Sequence, residues 1–131
     1  MDYGITVRTA LPFGAAAARV REALRAQGFG VLTEIDVQAT LREKLGRETG
    51  EYLILGACNP PLAHRALAAD ASIGLLLPCN VVVRAEAGQT VVEALDPQVM
   101  VSVTGEPSLE PVAQEAASRL RAALRSLPAT G

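Results

Sequence analysis

The chain has two cysteines, and each is followed directly by an asparagine: Cys58-Asn59 and Cys79-Asn80. Both pairs sit where an apolar stretch meets a proline, in Tyr52-Leu-Ile-Leu-Gly-Ala-Cys-Asn-Pro and in Leu75-Leu-Leu-Pro-Cys-Asn-Val-Val-Val. A thiol can ligate a soft metal, cycle between oxidation states or, once ionised, act as a nucleophile. His64, the single histidine, follows Cys58 by six residues and supplies a third soft ligand or a base. Cys58, Cys79 and His64 are thus the candidate metal ligands. Cys58 with His64 and either Asn59 or Asn80 has the ingredients of Cys-His-Asn acyl transfer. Neither pattern is a strong signature, because the paired C-x-x-C spacing of zinc sites and any nucleophile motif are absent. The bland roles are equally concrete: small buried thiols, Asn59 capping a helix, Asn80 as a turn amide and His64 facing solvent.

The sharper chemistry requires the two thiols to meet. Cys58 closes a strand, a helix from Pro60 runs back, and residues 71 to 78 must return before Cys79. Eight residues reach as far as ~26 Å when extended, so the return to the same rim is feasible. The thiols would then lie beside the N-terminus of the 60–69 helix, whose dipole favours thiolate. The expected ligand site is Cys58, Asn59, Cys79 and Asn80 against an apolar wall, with a metal ion, haem or small molecule as occupant. These residues leave the cofactor unknown.

The elements that would position this site follow from periodicity. Tyr3, Ile5 and Val7 alternate with Gly4, Thr6 and Arg8, the period-two pattern of a half-buried strand. Pro12 opens a helix with Phe13, Ala17, Val20 and Leu24 on one stripe, ended by Gly28. Val31 to Ile35 reads as a second strand. Asp36 caps a short helix carrying Val37, Leu41 and Leu45, stopped by Gly46. Tyr52 to Ala57 is a third strand, and Asn59-Pro60 starts a helix running to about Ala69. Val81 to Ala85 and Thr90 to Leu95 form a hairpin about Ala87-Gly88. Residues 98 to 104 are ambiguous. Ser108 is the expected cap of a last helix with Leu109, Val112, Ala116, Leu120, Leu124 and Leu127 on one face.

The order β-α-β-α-β-α-β-β-α with a hairpin predicts an α+β two-layer sandwich. Its sheet would be antiparallel or mixed, of about five strands, with helices mainly on one face. Residues 1–131 form one domain, with no repeat or linker. Residues 52 to 57 are apolar on both faces, Tyr52, Ile54 and Gly56 on one and Leu53, Leu55 and Ala57 on the other. An apolar patch on an open sheet face implies an interface, so a homodimer through the sheet is expected, with a short helix covering the face as the alternative.

Composition excludes several partners. At 50% hydrophobic and 20% charged residues, a core is available and global disorder is not. Tyr3, Phe13, Phe29 and Tyr52 are the only aromatics, and the net charge is −2, so no base-stacking platform or basic stripe is present. Nucleic acid is not an expected partner. The arginines at 19, 21, 25, 119, 121 and 125 read as solvated helix faces. No phosphate-binding G-x-G-x-x-G run occurs. The longest apolar stretch, Ile73 to Val83, is interrupted by Pro78 and Asn80 and falls short of a bilayer span of ~20 residues. With no apolar signal core near Met1 and too few cysteines for a disulfide scaffold, a cytoplasmic protein is expected, without membrane attachment.

The Cys-Asn-Pro and Leu-Pro-Cys-Asn-Val segments, about twenty residues apart, together with Asp96-Pro97, resemble domain-of-unknown-function family 302 over most of the chain. The resemblance implies a compact, dimeric α/β domain of bacteria and archaea, and no assigned activity. The combined expectation is a non-catalytic homodimeric module binding a small ligand or metal near the two Cys-Asn pairs. A thiol-dependent redox enzyme using Cys58 and Cys79 is the alternative, and a purely structural or protein-interaction domain the third.

Overall fold

A computed structural model describes residues 2–129. Five strands, β1 (Gly4–Thr9), β2 (Gly30–Asp36), β3 (Tyr52–Cys58), β4 (Cys79–Glu86) and β5 (Gln89–Leu95), form one sheet in the order β1-β5-β4-β3-β2. Every neighbouring pair is antiparallel. Five helices complete the fold: α1 (Phe13–Ala26), α2 (Val37–Leu45), α3 (Pro60–Ala69), α4 (Gln98–Thr104) and α5 (Glu110–Arg125). The expected two-layer α+β sandwich is therefore present, with a wholly antiparallel sheet. No helix among the described residues is long and apolar enough to cross a membrane.

Strand alternation sets the two faces. In register, Ile5, Ala94, Val81 and Leu55 form one cross-strand row, and Val7, Val92, Val83 and Leu53 the next. These rows pack against Ala16, Val20 and Leu24 of α1 and Leu120, Ala123 and Leu124 of α5. The helix positions facing the sheet alternate large with alanine, which lets the helices lie close. A second cluster joins Leu62 and Ala66 of α3, Ile73 of the 3₁₀ turn at Ala71–Leu76, and Met100 of α4 to Leu109, Val112, Ala113 and Ala116. Helix α5 belongs to both clusters, its C-terminal half on the sheet and its N-terminal half on α3 and α4.

Local signals explain the element ends. Gly28 takes φ +84° after α1, and Gly46 takes φ +64° after α2. Asp36 caps α2, its carboxylate accepting from Ala39 N at 2.9 Å. The stripe of α2 is only partly covered, for Val37 and Leu41 are half-buried and Leu45 is 67% exposed. Ser108 is not the cap of the last helix. Glu106 instead accepts from both Ser108 N and Ser108 Oγ over the 3₁₀ turn Pro107–Leu109, which holds its carboxyl below the usual value. Three of the six helix arginines are tied to neighbours, Arg21 to Glu34 at 2.9 Å, Arg119 to Glu115 at 3.2 Å and Arg121 to Asp96 at 3.3 Å.

The open face of the sheet is less apolar than the strand sequence implies. One row runs Ile35, Ile54, Val82, Glu93 and Thr6; the next runs Tyr52, Arg84, Val91 and Arg8. Arg84 is bonded to Glu93, Thr6 donates to Glu93 at 2.8 Å, and Arg8 pairs with Glu86 at 3.0 Å. The exposed apolar part is centred on β2, β3 and β4, with Ile35 49% exposed and Ile54 and Val82 half-buried.

Candidate functional site

The site is built where β3 ends and β4 begins. Strand β3 cannot continue past Cys58, because Pro60 and Pro61 lack the N–H a ladder needs. Asn59 makes the turn: its backbone is extended, its Oδ1 accepts from Leu62 N at 3.2 Å, and its carbonyl accepts from Ala63 N at 2.9 Å. The chain returns through the 3₁₀ turn, and Cys79 pairs with Ala57. Cys58 and Cys79 thus lie on adjacent strands at one rim, and both are free thiols.

A cavity of about 320 Å³ opens at this rim, between the strand ends and α3, α4 and α5. Cys58, Asn59 and Cys79 line it, and its walls come largely from Leu62, Ala66, Met100, Val112 and Ala116. Two lining leucines remain open to solvent, Leu32 at 68% and Leu67 at 44%. Among the described residues no charged side chain lines the cavity.

The other two expected site residues lie elsewhere. Asn80 follows Cys79 within β4, so strand alternation turns it to the open face, where it pairs with Gly56 and is exposed. There it borders a separate depression of about 440 Å³ with Tyr3, Tyr52, Val82 and Glu93. The two carboxylates of that depression are already engaged, Asp2 by Gly4 N and Glu93 by Thr6 and Arg84. Helix α3 turns Leu62, Ala63, Ala66 and Leu67 to the cavity, while His64 is exposed and does not line it. Cys58, Cys79 and His64 therefore do not converge as a metal set. No group of three or more His, Cys, Asp or Glu able to hold a metal occurs among the described residues. The Cys-His-Asn arrangement also lacks its base.

The electrostatics run against thiolate chemistry. Burial, and secondarily the charge of Cys58, pushes the Cys79 thiol up to about 11. The helix N-terminus does not reverse this. Of the first four backbone positions of α3, Pro60 and Pro61 have no N–H, Leu62 N is taken by Asn59 Oδ1 and Ala63 N by the Asn59 carbonyl. The expectation that α3 would stabilise a thiolate is weakened because none of these four positions offers a free backbone N–H.

This makes the thiol a pH probe. A thiol held neutral by the fold stabilises the native state relative to the unfolded chain, fully so below pH 9.0, the ordinary value. Above it the unfolded chain ionises first, so stability falls between pH 9.0 and about 11. The loss attributable to Cys79 is at most on the order of 2–3 kcal/mol, at 1.36 kcal/mol per pKa unit. Urea titrations of the wild type and Cys79→Ala across that range should diverge, with the alanine variant losing less. Parallel curves would show that Cys79 ionises as it does in the unfolded chain.

Sequence reasoning missed Phe29 and Met100 as cavity residues. Phe29 follows the left-handed Gly28 and is only 2% exposed, and Met100 lies in the segment whose periodicity was ambiguous. Val112 and Ala116 were visible as helix-face residues, though not as walls of a cavity.

Comparison with known proteins fits this picture of fold without assigned activity. The family model for Domain of unknown function DUF302 matches residues 5–127. The chain is similar to the crystal structure of an uncharacterized conserved DUF302 protein from Bacillus stearothermophilus, with a TM-score of 0.90 and 32% identity. That match covers 95% of this chain and 98% of the other. No protein of curated function matches. With the family model spanning nearly its whole length, the chain belongs to the DUF302 family of domains of unknown function.

Proposed function

We propose that this domain is a binding module for a small, predominantly apolar molecule, held in the cavity beside Cys58, Asn59 and Cys79. The observation that carries this reading is the cavity itself. Its volume falls at the lower end of small-molecule sites, and its walls are apolar, Phe29 among mostly aliphatic side chains, with few polar groups. Exposed Leu32 and Leu67 at its edge favour the same kind of occupant. Thiol redox catalysis is the weaker reading, because Cys79 is held neutral and α3 presents no free N–H to a thiolate. Titration with the neutral dye phenylnaphthylamine tests the proposal: saturable fluorescence enhancement at one dye per chain is expected. A linear, non-saturating signal would remove it.

A second reading concerns assembly. The cross-strand row Ile35, Ile54 and Val82 is apolar and partly open, and supports a homodimer formed through the open sheet face. Multi-angle light scattering at micromolar concentration should give twice the chain mass of 13.7 kDa, and Val82→Lys should shift it to one chain. A monomeric wild type would end this reading.

A further inference from the structure

The geometry points to an uncharged ligand with a hydrogen-bond acceptor, docked so that Asn59 Nδ2 donates to it while its apolar body fills the cavity; this rests on the binding-module reading above. Asn59 is only 7% exposed, and it lines the cavity. Its side chain makes one hydrogen bond, through Oδ1 to Leu62 N, so Nδ2 has hydrogens to give. No sealed side-chain nitrogen or oxygen among the described residues lacks a partner, so Nδ2 is not sealed from solvent. Its position is fixed by close packing on Gly28, where an added Cβ would lie 2.9 Å from Nδ2.

The exclusion of charge comes from what the site lacks. A carboxylate or phosphate entering an aliphatic cavity loses its hydration and needs a counter-charge or several N–H donors in return. Among the described residues the lining carries no cation. The nearby helix N-terminus, ordinarily a source of such donors, has its first four positions closed by Pro60, Pro61 and the two Asn59 bonds. A cation fares no better without a lining carboxylate.

Three matched compounds test the inference: benzylacetone (neutral, acceptor only), hydrocinnamate (anionic) and pentylbenzene (neutral, no polar group), each displacing phenylnaphthylamine from the full chain at neutral pH. Benzylacetone should bind about tenfold or more tighter than hydrocinnamate and severalfold tighter than pentylbenzene. Asn59→Asp keeps the cap acceptor and the volume but removes Nδ2. It should collapse the benzylacetone-to-pentylbenzene affinity ratio by about threefold to tenfold, the range of one neutral hydrogen bond. Hydrocinnamate binding as tightly as benzylacetone would overturn the uncharged-ligand inference while leaving the binding module standing. An unchanged ratio in a folded Asn59→Asp chain would overturn the role of Nδ2. Displacement by none of the three, with no saturable dye binding, would remove the binding module itself.

Discussion

Gly56→Ala should destabilise the domain by about 3 kcal/mol, toward the upper end of overpacking costs. A Cβ at this position would lie 2.2 Å from Thr33 Oγ1 and 2.9 Å from Pro78 Cγ. Thr33 is on the edge strand and can turn its hydroxyl away, but the Pro78 ring precedes β4 and has no alternative rotamer of comparable reach. The strand pairings on both sides of Gly56, to Thr33 and to Asn80, fix the backbone from which the methyl would project. For a domain with total stability of order 5–15 kcal/mol such a loss is large, and urea midpoints read it directly. Adding Thr33→Ala should restore part of the loss, since it removes one of the two clashes and leaves the other. A Gly56→Ala chain as stable as the wild type would show that the approach of β2 and Pro78 to β3 is not rigid.

The largest functional effect is expected from Ala63→Phe, which should weaken phenylnaphthylamine binding at least tenfold while the domain stays folded. Ala63 is half-buried on α3 and lines the cavity, so a phenyl group there has the cavity as its place to go. The substitution fills the guest's volume with protein and removes apolar surface otherwise buried on binding, at roughly 25 cal/mol per Å². Its cost to the helix is small, a fraction of a kcal/mol in propensity. The control is Ala68→Phe, on the exposed side of α3 and outside the lining, which should leave dye affinity unchanged. Equal dye affinity in wild type and Ala63→Phe would place dye binding away from this cavity.

Much of the architecture was legible because strong local signals agree with the tertiary structure. The six apolar positions of the last helical face, Leu109 through Leu127, are all buried, and Asn59 before Pro60 caps α3 as its type predicts. Residues 98 to 104 resisted because Val99, Val101 and Val103 alternate as in a strand, while the helix there depends on Met100 finding the second cluster and on Gly105 at φ +67°. Asn80 was misplaced for a simple reason. Strand β4 begins at Cys79, two residues earlier than its valine run suggests, so Asn80 is a strand residue with a fixed face rather than a turn amide. Three residues of the paired Cys-Asn pattern therefore line the cavity rim, and the fourth, Asn80, lies on the opposite surface. The cavity itself was not legible, since it depends on how α4 and α5 stand relative to α3, which no short-range pattern encodes.

That α5 is shared by both hydrophobic clusters has a consequence for how a guest enters. The same rod that supplies Val112 and Ala116 to the cavity has Leu120 and Leu124 locked into the sheet two turns further on. This wall has no hinge of its own, and swinging it outward would strip the main core. On the binding-module reading, a guest would enter past the exposed Leu32 and Leu67 into a chamber that needs no movement of α5.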